Sequence, residues 1–503
     1  MVSSTTTGAF HGLLVGIDNG RPSKRCDLRF VSASHERRIA LSRRPRVGVV
    51  GGGISGLAVA YYLQEEGAAA GLEPDVTLLE RSPRLGGVIE TMRQEGLLLE
   101  AGPDAFAPGS QVLSLIDALQ LSDQLLALQP GGRGTFIYNG RTLQPLPRGM
   151  AFVAPVSLRD FWTTAPLSVQ GKLRALAEPL IPRSRGDISL RRFLRRRLGR
   201  ELSHKVAEPL VSALHGGSID GLSAISSLPQ LHGLEQRYGS LWWGMRKTRR
   251  AGGPPASPLM TLAPGLSCLV EKLADRLGPE TISAGNAQTG VQQQAGWVLT
   301  GEGGSREFDA LVFCTPSHTT ARFLEDSNPE AARLLREVPY RSGVSVYLAY
   351  RRSEVAHELR GTGFVTDGAA GLSISSCGWV SSKFEGRSPP ETILLRCSLR
   401  ADESPLEDDE LALLLHREIE APLGISGDPV FARCFRYHRA LPRLLVGHRQ
   451  RMAQLSNQGL EDRGLFIAGS FSQGSGIPEC VRGAAQTAHR VVAFLRSPGW
   501  KSG

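Results

Sequence analysis

The sequence predicts an α/β fold: a parallel-sheet nucleus opened by a glycine turn, interrupted by a long insertion and completed by the chain's last elements. Three observations carry this. An apolar strand, Arg46–Val50, runs into Gly51-x-Gly53-x-x-Gly56 and at once into a helix through Leu63. A second apolar run, Val76–Leu79, ends at the carboxylate of Glu80. Far downstream, Gly464–Gly469 reads as a buried strand feeding a second glycine turn at Gly474–Pro478 and a second helix from about Cys480 to Leu495.

In the first turn each glycine has its own reason. Gly51 permits the tight turn, Gly53 lets the backbone approach a pyrophosphate, and Gly56 lets helix pack close on strand. Gly52, Ile54 and Ser55 complete the turn, and the N–H groups of the helix start face the phosphates. Glu80 suits a ribose hydroxyl. It stands 24 residues beyond Gly56, slightly far, and the polar stretch Glu65–Asp75 takes up the excess as a longer helix end and loop. Strand, turn, helix and acid together make a dinucleotide pattern; the glycines alone would be weak.

Length and composition bound the rest. The chain has 503 residues, 41% hydrophobic and 21% charged, with a net charge of +10. That is enough for two or three domains. No apolar run reaches the roughly 18 residues of a membrane-spanning helix. The positive charge favours an anionic substrate or membrane surface, or follows simply from Arg-rich composition. Nucleic acid is disfavoured, since no reader motif is present. The seven cysteines form no Cys-x-x-Cys pair and no zinc spacing, so free thiols are expected and no metal site. Residues 1–45 carry eight Lys/Arg against three Asp/Glu. They read as a transit peptide, a disordered extension or a misassigned start.

Between the two glycine turns the elements follow in order. Gln111–Leu128 reads as a helix on the spacing of Val112, Leu115, Ile116 and Leu119. Phe136–Leu143 reads as a hairpin about Asn139-Gly140. Ser189–Leu214 is amphipathic, its second face holding Arg191, Arg192, Arg195, Arg196, Arg197 and Arg200. Such a face lies on anionic lipid or is simply solvated. Pro254-Pro255 marks a boundary. Leu266–Leu277 is a helix, Thr281–Thr300 holds strands about Gly296-Trp297, and Phe308–Pro316 is a buried parallel strand ending at Thr-Pro. Val344–Tyr350 and Thr392–Cys397 are strands; Asp408–Ile419 is a helix.

The combination resembles a known family. Gly51–Gly56, Glu80, Arg84-Leu-Gly-Gly87, Glu100-Ala-Gly-Pro103 and Gly476-Ile-Pro-Glu-Cys-Val481 together resemble the amine-oxidase-like FAD flavoproteins, and within them the oxygen-dependent protoporphyrinogen and coproporphyrinogen oxidases. Glu208-Pro-Leu-Val-Ser212 with Leu222-Ser223, Gly265-Leu266 with Arg276-Leu277-Gly278, and Ala440-Leu-Pro442 with Gly447-His448 are similar to further segments of that branch. The resemblance spans about 46–497.

It implies a discontinuous two-dinucleotide-binding-type FAD fold, with an inserted mixed-β substrate domain and a helical membrane-associated domain. The implied division is 46–110, 258–335 and 455–497 for FAD, 111–257 for the helical part, and 336–454 for substrate. It implies FAD held by Gly51, Gly52, Gly53, Ile54, Ser55, Gly56, Glu80, Arg81, Arg84, Gly86, Gly87, Val88, Gly102, Pro103, Gly469, Gly476, Ile477 and Pro478. The last three would set the N–H groups of Gly476 and Ile477, and the dipole of the helix that Pro478 helps to open, near the isoalloxazine, where reduced-flavin charge develops. The implied reaction removes six electrons from protoporphyrinogen IX (alternatively coproporphyrinogen III), each pair passing through flavin to oxygen or another acceptor. No catalytic acid or base is named, since flavin supplies the redox chemistry. A peripheral membrane contact and a homodimer are further expectations. The location would be cytoplasm or a membrane surface, or a plastid or mitochondrion if 1–45 is a transit peptide.

The expected substrate contacts are Asp104, Ala213, Thr362, Gly363 and Phe364, and three depart from the family pattern. Asp104 stands where plant and animal members have a basic residue that can meet a propionate. Thr362 stands for a Phe that stacks on the tetrapyrrole, with Phe364 two residues on and able to face the same side of a strand. Ala213 replaces a Gly. These changes admit another FAD oxidase or desaturase, or a flavin-binding scaffold without turnover. Arg237, Arg246 and Arg341 are read as surface charges and His215 as structural.

Overall fold

The computed structural model describes residues 43–130, 134–147, 150–164, 166–250, 259–367, 370–401 and 403–497. Most of the basic leader, and the Pro254-Pro255 boundary, lie outside these. Arg43, at the leader's end, already forms a two-pronged ion pair with Asp309 at 2.7 and 2.8 Å.

Strand β1 (Arg46–Val50) leads through the glycine turn into α1 (Ile54–Ala69), and β2 (Asp75–Leu79) follows. A hairpin, β3 (Thr91–Gln94) and β4 (Leu97–Glu100), precedes α2 (Ser110–Ala118) and β5 (Leu125–Ala127). The predicted helix to Leu128 thus stops ten residues early. Gln120 takes a positive φ of 58°, and β5 leaves to pair with β8 (Met260–Leu262); that non-local strand pairing overrides local periodicity.

The hairpin β6 (Thr135–Tyr138) and β7 (Leu143–Pro145) is followed by short helices. These include α3 (Leu158–Thr164), α4 (Val169–Leu176), α5 (Leu190–Leu198) and α6 (Glu208–Leu214). Gly199, at φ 83°, breaks the predicted 189–214 helix. Helix α7 (Ser267–Leu277) and the brief β9 (Ile282–Ser283) return the chain to the first sheet. An antiparallel trio, β10 (Gln288–Gln293), β11 (Trp297–Gly301) and β12 (Gly304–Phe308), precedes β13 (Ala310–Phe313). Then come β14 (Tyr340–Arg351), β15 (Gly363–Thr366), β16 (Ile374–Trp379), β17 (Thr392–Leu399), α8 (Asp408–Leu423), β18 (Phe431–Pro442), β19 (Leu465–Ile467) and α9 (Ile477–Leu495).

Two sheets organise these elements. The first is parallel, in the order β9-β2-β1-β13-β19. Its strands come from positions more than 400 residues apart, as the predicted interruption requires. Both its faces are covered, by α1, α7 and α9 on one side and by Trp297, Phe308 and Leu334 on the other. Strands buried on both faces read as unbroken apolar runs, which is why β1, β13 and β19 were legible.

The second sheet is mixed and seven-stranded, in the order β18-β14-β17-β16-β15-β6-β7. Sheet membership therefore reaches into the mainly helical 111–257 segment, because β6 pairs in parallel with β15. One face packs on α8 through Leu348, Tyr350, Cys377 and Cys397. The opposite face is divided. At one end Tyr347, Ala349 and Leu394 pack on Leu97 and Leu99. At the other, Ile137 and Val365 pack against the helical segment. Alternation along the strands puts Gly343, Ser345, Ser398, Ser376, Gly378 and Gly363 between those ends. Register makes them neighbours: Ser345 opposes Ser398, which opposes Ser376, and Gly378 opposes Gly363.

Candidate active site: a dinucleotide cradle beside a polar sheet face

The first glycine turn has the geometry its residue types demand. Gly51 sits at φ 112° and donates its N–H to Leu79 O at 2.8 Å. A Cβ on Gly56 would collide with the Gly51 carbonyl, whereas one on Gly53 would meet nothing within 4 Å. Thus Gly56 closes the helix onto the turn, and Gly53 leaves open space above it. No side chain caps α1, so N–H groups of its first turn are left for a ligand. Ile54 and Ser55 begin that helix and are buried.

The carboxylate of Glu80 is fixed by the backbone. Its Oε2 accepts the Gly52 N–H at 2.6 Å and its Oε1 the Ser82 N–H at 2.7 Å. The Arg84–Gly87 loop folds back over the turn. Gly86 donates to Gly52 O at 2.8 Å, and Gly87, at φ 61°, brings its Cβ direction to 3.4 Å from Gly53 Cα. Arg84 shapes its own loop, donating to the carbonyls of Leu85, Gly87 and Ile89 at 2.6–3.0 Å. Arg81 is exposed. The Val88 carbonyl lies where a Cβ on Gly102 would stand, which joins the loop to Gly102-Pro103.

The second turn meets the first. Helices α1 and α9 pack side by side through Leu57, Ala58, Val481, Ala484 and Ala488. Ser55 and Cys480 share a hydrogen bond, and burial pushes the Cys480 thiol up to about 11, so it stays protonated. Gly469, at φ 141°, follows β19. Gly476 precedes α9, Ile477 and Pro478 form its first turn, and again no side chain caps the helix. Two uncapped helix starts, a glycine with empty space over it and a backbone-held carboxylate fit a dinucleotide's phosphates and ribose.

Beyond the cradle lies the small-residue face of the mixed sheet, and Arg396 links the two. Its Nη2 donates to Gly102 O at 2.6 Å and to Ser345 Oγ at 3.4 Å, and its guanidinium lies over the Tyr347 ring at 5.6 Å. Tyr437 on β18 donates to Val88 O at 3.4 Å. Asp104 lies at the junction. It accepts from Lys383 Nζ and pairs with Arg396 Nη1 at 3.9 Å. Burial opposes its ionisation, but those two cations hold it down to about 2. Lys383, Arg396 and Tyr437 are functional candidates that motif reading missed, because they are single residues scattered over separate elements. One signal existed: an Arg inside the otherwise apolar run Ile393–Cys397.

Other expected positions fall elsewhere. Phe364 does not share a face with Thr362 toward the site; it is 1% exposed and packs in the α8-side core beside Tyr138. Gly363 faces the small-residue patch, and a Cβ there would collide with Cys377 O. Thr362 bonds Thr135 Oγ1 at 2.8 Å and Gly134 O at 2.9 Å. Ala213, on α6, is partly buried against the helical core near β15 and β16. Arg341 is not a surface charge but 6% exposed, its guanidinium pressed on the Cα of Gly217. His215 is half-buried, and loss of solvation pulls its imidazole down to about 4.

The arginine face of α5 is also largely spent. Arg197 is wholly buried between Glu178 and Glu235, so it belongs to the core and not to the basic face. Arg196 pairs with Glu235, Arg195 with Glu208, and Arg191 with Asp220. Acidic residues from other segments neutralise much of this basic face. No described helix is long and apolar enough to cross a membrane.

Known proteins agree with this geometry. The chain is 31% identical over 471 residues to a coproporphyrinogen III oxidase of Bacillus subtilis (strain 168), covering 90% of this chain and 99% of that one. It is 28% identical to the chloroplastic protoporphyrinogen oxidase 1 of Spinacia oleracea, covering 89% and 84%. A crystal structure from Exiguobacterium sp. 255-15, provisionally assigned as a protoporphyrinogen oxidase, superposes with a TM-score of 0.77 at 29% identity over 90% of this chain and 99% of that one. The profile of flavin-containing amine oxidoreductases matches residues 54–493. The chain belongs to the flavin-containing amine oxidoreductase family, and its cofactor is FAD.

Proposed function

We propose that this chain oxidises a porphyrinogen to the porphyrin in haem biosynthesis. One observation carries the reading: the 2.6 Å bond from Arg396 to Gly102 O sets a broad floor of small polar residues against the loop expected to line the flavin. A broad macrocycle needs such a floor, and a small amine does not. The homologues' names point the same way. The finer reading is protoporphyrinogen IX. Coproporphyrinogen III is the second, favoured by the 31%-identical relative.

When bound, FAD would supply the two-electron redox chemistry for each of three oxidations, with oxygen as the expected acceptor. The protein's part is to bind, orient and exclude water. Gly53 and the start of α1 would hold phosphates, Glu80 the ribose, and the start of α9 the ring system. The division into FAD, helical and substrate parts belongs to this proposal. So does a peripheral membrane contact, for which the better surface is α3–α4. Trp162, Val169 and Leu173 are 40–65% exposed there, and Leu180 beyond α4 is 83% exposed.

The test is direct. The FAD-loaded protein is given protoporphyrinogen and coproporphyrinogen under air, and porphyrin fluorescence is followed against a flavin-free control. Accelerated appearance of either porphyrin is expected. No acceleration with both would overturn the reading.

A further inference from the structure

Beside Gly102–Asp104 the cations outnumber the carboxylates. Lys383 and Arg396 share a single carboxylate, Asp104. The next carboxylate, Glu100, is engaged by the Leu266 N–H and the Thr91 hydroxyl, both at 2.8 Å. A third cation, Arg387, lies near both acids and is 2% exposed. Three cations therefore stand near two acids, one of them, Glu100, pushed toward its neutral form by burial, so the excess is at least one positive charge. Such an excess is costly away from water and calls for an anionic guest.

The geometry leaves that guest a place. The side chains of Lys383, Arg396 and Asp104 are 9%, 17% and 25% exposed, so the cluster opens at its Asp104 edge. Arg396 Nε is buried with no hydrogen-bond partner among the described residues. The Cβ direction of Gly378 points to within 3.7 Å of Lys383 Nζ, so no side chain there shields the ammonium. Ser345 and Ser398 continue the floor.

We infer that Lys383 and Arg396 form a binding site for a carboxylate of the substrate, with Asp104 as the internal counter-ion that this carboxylate displaces or shares. The inference rests on the porphyrinogen reading, because it uses the acid side chains of that substrate class. Arg396 offers planar N–H groups and Lys383 a compact charge. The macrocycle would lie over the small residues while its acid arm reaches the cation pair.

Two substitutions have expected effects of opposite sign. Binding of coproporphyrin III and of its tetramethyl ester to the FAD-loaded protein is read by fluorescence quenching, and KM and kcat for porphyrinogen beside it. Lys383→Met weakens the acid by about tenfold or more and raises KM, with kcat within about twofold. Asp104→Asn, which removes the internal competitor, tightens the acid about threefold. The ester responds to neither, and Lys383→Arg keeps most of the affinity. Equal weakening by Lys383→Met and Asp104→Asn, or an ester that follows the acid, means a packing role and overturns the inference. Should Lys383→Met fail to load FAD, the Asp104→Asn result decides, and absence of tightening overturns it. Wild type that oxidises neither porphyrinogen overturns the porphyrinogen reading instead.

Discussion

The Gly52 N–H points at Glu80 Oε2 over 2.6 Å, and Ser82 holds the second oxygen at 2.7 Å. The carboxylate is therefore aimed before any ligand arrives. A Glu80→Gln amide would turn an NH2 toward one of those N–H donors. Hydrogen bonds to charged groups contribute about 1.5–3 kcal/mol, so the dissociation constant for FAD should rise roughly 10- to 100-fold. Titration of apoprotein with FAD measures it; an unchanged constant would remove Glu80 from the ribose role.

Gly53 and Gly102 should fail in different ways. Gly53→Ala puts a methyl into open space at a backbone angle any residue adopts (φ −75°). The apoprotein's stability should move by no more than about 1 kcal/mol, while FAD is lost because the methyl takes the phosphate's place. Gly102→Ala collides with Val88 O and should cost about 1–3 kcal/mol in the apoprotein itself. Urea midpoints and FAD titrations of both variants separate the two. Normal FAD binding by Gly53→Ala would refute the cradle.

Removing Arg197 leaves the buried Glu178 without a cation and the buried Glu235 with Arg196 alone. Arg197→Met should destabilise by about 3–5 kcal/mol. The effect has a pH signature. Burial opposes ionisation of Glu235, but Ser184 and Arg197 hold its pKa below the usual carboxylate value. Its contribution is therefore present above the unfolded pKa and is lost as pH falls through the lowered folded value. The gap between wild type and variant should narrow as acid protonates the stranded acids. A constant gap from neutral to acid pH would show that lost packing, not charge, sets the cost.

Glu100 behaves in the opposite sense. Burial pushes its carboxyl up to about 7, against the favourable bonds from Leu266 and Thr91. The folded state therefore binds its proton more tightly than the unfolded one. Stability from this group is full below an unfolded value of about 4.5 and falls as pH rises through about 7, by roughly 3 kcal/mol in all. Glu100→Gln should flatten that slope in unfolding measured from pH 5 to 8. An identical slope in the variant would rule out Glu100 as its source.

The cradle was legible because its parts are local and chemically restrictive. Gly51, Gly53 and Gly56 each answer a steric demand within six residues, and β1 and β13 are apolar on both faces. The same reasoning failed where partners come from afar. The helix predicted through Leu128 ended at Ala118 because β8 captured the next segment. Arg197 looked like a member of a basic stripe until Glu178 and Glu235 converged on it. Strand alternation let Phe364 stand in for Thr362, two residues away, but could not tell which side of β15 faces the site.

The sequence by itself determined the first glycine turn, the place of Glu80 beyond the next strand and the second glycine turn, since backbone sterics and apolar periodicity act over a few residues. Only the tertiary structure decided that Lys383, Arg396 and Asp104 meet, and that six small residues from four strands make one floor. Side-chain charges and gaps on different strands become neighbours only through register, and register is fixed by which faces the whole chain can bury.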